Sequence, residues 1–139
     1  MEKSALRAKM LHELKTFPDK ERESRAICDS LQSLSIYREA ETILAFSPLS
    51  TEPDISPLFS DERILFPFIT GNGEMEYGRG KLVKNKLGFL EPKDKIAIEY
   101  HRAIILVPLL ALDKHLYRLG RGKGFYDNYL KKNGKSFFP

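Results

Sequence analysis

The run Ala103, Ile104, Ile105, Leu106 and Val107 is apolar at odd and even positions alike. Side chains of a strand alternate between two faces, so such a run must be covered on both sides. That is the pattern of a central strand in a layered sheet. Residues 42–46 and 63–68 are short apolar runs of similar length. Helical patterns alternate with them. Leu6, Met10 and Leu14 recur at i, i+4 and i+8 with Leu11 beside them, which predicts an amphipathic helix over residues 3–16. Phe17, Pro18 and Asp19 end it, and a second helix is expected over 19–34 with Ile27, Leu31 and Leu34 inward. Gly71, Asn72 and Gly73 read as a tight turn, with a strand beyond it at 75–78. Residues 80–100 read as irregular and polar, and 108–124 as a long loop leading into a helix from Phe125. The expectation is an α/β layered domain with a mostly parallel sheet, filling residues 1–139 as one unit. In such sheets ligands bind beyond the carboxyl ends of the strands, and the segment after Val107 starts at such a place.

That segment holds Arg118, Leu119, Gly120, Arg121, Gly122, Lys123, Gly124, Phe125, Tyr126 and Asp127. Glycines allow close backbone approach and positive φ at little cost. Exposed amides, the positive end of the following helix and three cationic side chains favour an anion, so the segment reads as a phosphate-binding loop. It has neither the P-loop spacing nor the dinucleotide fingerprint. The plainer alternatives are a basic connector or an Arg/Gly loop touching nucleic acid. Asp127 suits Mg²⁺ beside bound phosphates, or simply complements the helix dipole. Lys3 and Arg7 share a helix face expected to lie opposite Leu6 and Met10, and alone would be a solvated face. Glu52, in the loop that begins at Ser47, is by itself a turn acid.

The 23 basic and 19 acidic residues leave a net charge of +4, spread along the chain with no block of five or six, so nucleic acid is not the expected partner. No apolar run approaches the roughly 20 residues of a membrane span, and the charged N-terminus lacks a signal peptide's apolar core. These features predict a soluble, cytoplasmic protein. The lone Cys28 reads as a small buried apolar residue. His12, His101 and His115 show no metal-ligand spacing, and no nucleophilic triad is legible.

The stretch Val107-Pro108-Leu109-Leu110-Ala111-Leu112-Asp113, followed by the glycine loop and on through Leu130, resembles the signature of the 5-formyltetrahydrofolate cyclo-ligase family. Lys3 and Arg7 resemble that family's opening lysine and arginine, the loop from Ser47 to Glu52 its acidic substrate loop, and Gly88-Phe89-Leu90-Glu91-Pro92 its mid-chain motif. The matches run from residue 3 to 130 in the family's order. The resemblance implies a three-layer αβα domain and an ATP- and Mg²⁺-dependent closure of 5-formyltetrahydrofolate to the 5,10-methenyl compound, releasing ADP and phosphate. It assigns ATP to Lys3, Arg7 and Arg118 through Tyr126, with Arg121 and Lys123 catalytic. It assigns the folate to Ser47, Glu52, Arg121, Gly122, Lys123, Gly124 and Phe125, and Mg²⁺ to Asp127. The small-molecule partners would be ATP and the folate, with neither nucleic acid nor membrane. Family members continue beyond the loop helix through further strand and helix segments that include another metal-associated aspartate, whereas this chain ends at Ser136-Phe137-Phe138-Pro139. A sheet short of an edge element is therefore expected, with an exposed Phe137-Phe138 tail. A monomer is expected, or a dimer if a partner subunit supplies the C-terminal part. Two other readings stand beside this one. The first is an inactive relative that holds nucleotide or folate without turnover. The second is a small RNA-binding protein using Arg121, Lys123, Phe125 and Tyr126 as basic and stacking contacts.

Overall fold

The computed structural model describes residues 2–134, and the expectation for Phe137 and Phe138 lies outside them. The elements are α1 (Lys3–Lys15), α2 (Lys20–Ser33), α3 (Ser35–Glu39), β1 (Thr42–Leu44), a short 3-10 turn (Ser56–Leu58), β2 (Ile64–Ile69), β3 (Met75–Gly78), β4 (Leu82–Lys84), β5 (Leu90–Pro92), β6 (Ala103–Ile105), β7 (Ala111–Leu112), β8 (Arg118–Leu119) and α4 (Phe125–Asn133). Four strands form the main sheet in the order β3-β2-β1-β6. β1 runs parallel to β2 (Ile43 opposite Ile64) and to β6 (Ile43 opposite Ile104), whereas β3 is antiparallel to β2. Among the described residues β6 is an outer strand.

The two-residue alternation divides the core. Ile43, Ala45, Ile64 and Phe66 join Cys28, Tyr37, Ile55 and Leu58 on one face, while Leu44, Leu65, Met75, Tyr77 and Ala103 meet Tyr129 on the other. Helices α2 and α3 therefore cover one face and α4 the other, giving the three-layer αβα arrangement around a mostly parallel sheet.

Pro67 limits this sheet. The N–H of Ala45 donates to the carbonyl of Leu65 at 2.9 Å, and the next parallel rung would need an N–H from residue 67. Proline has none, so the β1–β2 ladder stops there, and Phe46 and Ser47 leave the sheet beside Pro67 to line a cleft.

Several expectations are corrected. Helix α2 turns Ser24, Cys28 and Leu31 inward, while Ile27 and Leu34 are 39% and 49% exposed. The reason is polar: Ser24 Oγ accepts the Asp54 N–H at 2.9 Å and Cys28 Sγ donates to the Asp54 carbonyl at 3.7 Å, so small residues seat the incoming loop. Residues 80–100 are not irregular throughout, because β4 and β5 form an antiparallel hairpin. Residues 108–124 are not a plain loop either, since β7 and β8 pair across a turn organised by Asp113. Arg7 does not lie opposite the apolar side of α1; it is half-buried along with Leu6, Met10, Leu11 and Leu14.

Candidate functional site

Beyond the carboxyl ends of β1 and β6 lies a cleft of about 350 Å³. Its size suits a small-molecule ligand. Ser47 and Glu52, each 6% exposed, enter it from the loop after β1. A buried carboxylate requires partners. Glu52 Oε1 accepts the Leu49 N–H at 2.8 Å, and Oε2 accepts Arg121 Nε at 3.3 Å. Arg121 also donates through its NH2 to Thr51 Oγ1 at 2.6 Å. The glycine loop and the loop after β1 are thus tied together at one arginine.

The opposite wall is the glycine loop itself. Arg7 Nε donates to the Gly120 carbonyl at 2.8 Å, which docks α1 on the loop. Gly122 (φ 104°) and Gly124 (φ 72°) take the left-handed backbone that glycine allows; Gly120 does not need it. Gly124 is the N-cap of α4, and the first helical rung runs from Asn128 N–H to the Gly124 carbonyl at 3.0 Å. No side chain caps this end among the described residues, so the first-turn amides sit at the cleft without a capping acceptor. Phe125, Tyr126 and Asp127 follow along the same wall. Burial and the nearby Glu52 push the Tyr126 phenol well above its ordinary pKa.

Lys3 and Arg7 also border the cleft, with Arg118 and Lys123. Arg118 NH2 is paired with Asp127 Oδ1, whose side chain is 77% exposed. Lys123 is exposed and has no ion-pair partner among the described residues. All the residues expected from the sequence at a nucleotide and substrate site therefore line one cleft. Pattern reading missed the apolar side, formed by Phe46, Met75, Leu87, Phe89 and Pro108. Its one signal in the sequence was the motif from Gly88 to Pro92, whose Phe89 lies at that wall.

No cluster of three or more His, Cys, Asp or Glu side chains suited to a metal exists among the described residues. Asp127 is an accessible carboxylate on the cleft. A Mg²⁺ ion held through phosphate oxygens and water needs only one or two carboxylates, so Asp127 fits that mode and not a closed protein cage. No helix among the described residues is long and apolar enough to cross a membrane.

The fold and site define a class: a three-layer α/β protein in which a cationic glycine loop at a helix N-terminus faces an apolar wall across one cleft. The sequence model of the 5-formyltetrahydrofolate cyclo-ligase family matches residues 1–137, and the chain belongs to that family of ligases. The 5-formyltetrahydrofolate cyclo-ligase of Mycolicibacterium smegmatis is 32% identical over 92% of this chain and 74% of its own length. That of Escherichia coli K12 is 33% identical over 66% of this chain and 58% of its own. The solution structure of Aquifex aeolicus 5,10-methenyltetrahydrofolate synthetase superimposes with a TM-score of 0.79 at 28% identity, covering 100% of this chain and 82% of that one. The synthetase of Mycoplasma pneumoniae, at 23% identity and a TM-score of 0.66, shares the fold over 95% of this chain and 79% of its own.

Proposed function

We propose that residues 1–139 act as one domain that cyclises 5-formyltetrahydrofolate to 5,10-methenyltetrahydrofolate, consuming ATP with Mg²⁺ and releasing ADP and phosphate. The observation that carries this reading is the Glu52–Arg121 pair, which joins a cationic, anion-receptive wall to the loop facing an apolar one. Two chemically different substrates need two such halves in contact.

In this reading the ATP phosphates lie against the loop from Arg118 to Gly124 and the first-turn amides of α4, with Lys3 and Arg7 completing the cationic rim. The folate ring takes the apolar side, and Glu52 accepts hydrogen bonds from the pterin beside Ser47. The formyl oxygen attacks the γ-phosphorus and the bond to ADP breaks. The formyl carbon then carries a phosphate in place of a poor leaving oxygen. The neighbouring folate nitrogen closes onto that carbon, its proton is lost, and phosphate departs with the C–O bonding pair. Lys123, without an ion-pair partner among the described residues, neutralises charge that develops on the transferred group, and Arg121 holds the two halves in register. Mg²⁺, when bound, supplies charge neutralisation and alignment of phosphate oxygens. Asp127 is the residue that would hold it, with Arg118 freed to turn towards phosphate. Such catalysis is mainly positioning and charge stabilisation, for which effective molarities can supply on the order of 7–11 kcal/mol. A cytoplasmic monomer is part of the same proposal.

The test is an absorbance assay with 5-formyltetrahydrofolate, ATP and Mg²⁺ that follows the methenyl chromophore. Product that requires ATP and disappears with Lys123→Ala supports the reading. Absence of product despite measurable ATP binding favours a nucleotide-holding relative without turnover.

A further inference from the structure

The β4–β5 hairpin carries a motif that the proposed reaction does not use. Glu91 in β5 is 4% exposed. Its Oε2 accepts the Ile69 N–H at 3.2 Å and Asn85 Nδ2 at 3.1 Å, and its Oε1 faces Lys95 Nζ at 3.1 Å. Lys95 also donates to the Ile69 carbonyl at 3.3 Å. Burial opposes the charge on Glu91, but hydrogen bonds from Asn85, Lys95 and the Ile69 amide hold its carboxyl below the ordinary range.

Asn85 then organises the turn. Its Oδ1 accepts the N–H groups of Leu87 at 2.9 Å and Phe89 at 3.2 Å. The backbone closes the turn through Asn85 N–H to the Phe89 carbonyl and Gly88 N–H to the Asn85 carbonyl, with Gly88 at φ 93°. Leu87 and Phe89 line the cleft. One continuous path of hydrogen bonds thus runs from the end of β2, through Glu91 and Asn85, to the apolar wall. Asn85 alone would fix the shape of the turn. The Glu91 link to Ile69 fixes its position relative to the sheet, and the position is what a ring in the cleft would meet.

We propose that Glu91 and Asn85 are positioning residues that hold Leu87 and Phe89 at the cleft and so set affinity for the ring system of the folate, without contacting it. This rests on the reading given under Proposed function. A ring laid on a displaced apolar wall buries less area, so weaker binding of the folate is the expected effect.

Asn85→Ala removes the second link and leaves Glu91 its bonds to Ile69 and Lys95. Glu91→Gln keeps an oxygen that can accept from both Ile69 and Asn85, and gives up only the bond to Lys95, whose half-exposed ammonium can turn to water. Steady-state kinetics, varying each substrate at saturation of the other, should show the folate KM raised about tenfold or more in Asn85→Ala, with ATP KM and kcat within about threefold. Amide hydrogen exchange at Leu87 and Phe89 should quicken about tenfold while that of β1 is unchanged. Glu91→Gln, which keeps both links, should leave folate KM within about threefold of that of the unsubstituted chain. An unchanged folate KM in folded Asn85→Ala overturns the proposal. So does an equal rise for both substrates, or a loss confined to kcat, because either marks general loosening. If the unsubstituted chain makes no ATP-dependent product, the functional reading fails and this inference falls with it. An active chain indifferent to Asn85→Ala removes the relay alone.

Discussion

Arg121 and Lys123 are two positions apart in the glycine loop, yet their surroundings differ. Arg121 is spent on Glu52 and Thr51, whereas Lys123 is exposed and has no ion-pair partner among the described residues. The substitutions should therefore part company. Lys123→Ala should lower kcat by about a hundredfold or more, as removing one transition-state donor does, with the melting temperature almost unchanged. Arg121→Ala leaves Glu52 buried with only the Leu49 amide, so it should destabilise the fold by about 1–3 kcal/mol besides impairing both substrates. Thermal melts alongside kinetics separate the two; equal melting temperatures would contradict the role given to Arg121. A similar contrast applies to Asp127, exposed and paired only with Arg118. Asp127→Asn should shift the Mg²⁺ dependence of activity to higher concentration while leaving stability within about 0.5 kcal/mol, and an unaltered magnesium titration would contradict the metal role.

At the scale of elements, Arg63 closes the end of α3. It donates to the carbonyls of Tyr37, Arg38 and Ala40 and is itself gripped by Asp61. The hydrogen bond from Arg63 holds Asp61 below the ordinary carboxylate range, against the opposing effect of partial burial. A depressed carboxyl stabilises the folded state above its unfolded pKa and loses that contribution as pH falls through the folded value. Stability should therefore decline below about pH 4, and Asp61→Asn should flatten that decline while costing about 1 kcal/mol at neutral pH. Melting curves from pH 7 to pH 2 check it. Legibility also varied by element. The grouping of Arg118 to Asp127 at one cleft was readable because these residues are adjacent in the chain. The strands β1 and β2 were readable because burial on two faces demands apolar residues at both parities, whereas β6, expected at the centre of the sheet, is an outer strand among the described residues and is only partly buried beyond Ala103. Helix α2 misled because Ser24 is buried by a hydrogen bond, which a search for apolar periodicity cannot register. The β4–β5 and β7–β8 hairpins escaped because strands of two or three residues fall below the length at which alternation becomes a pattern.

For the whole molecule, the cleft joins segments remote in the chain: α1, the loop after β1, the β4–β5 hairpin and the turn into α4. A ligand spanning it cross-links the fold. Excess of ATP and the folate at a hundred times their dissociation constants should add about 2.7 kcal/mol for each independent site, a rise in melting temperature on the order of 10 °C. A stretch of chain that contributes only its lack of a hydrogen donor sets where this opening begins. Pro67 works as a stop in a zipper: the two central strands part at that position whether or not anything lies between them. The gap is thus written into covalent structure and does not depend on a loop swinging aside. Replacing Pro67 with valine offers the missing rung, worth about 1 kcal/mol, against a comparable loss from the freer unfolded chain. Stability should hardly move while the strands seal further along and substrate binding weakens, so that a sounder sheet makes a poorer receptacle.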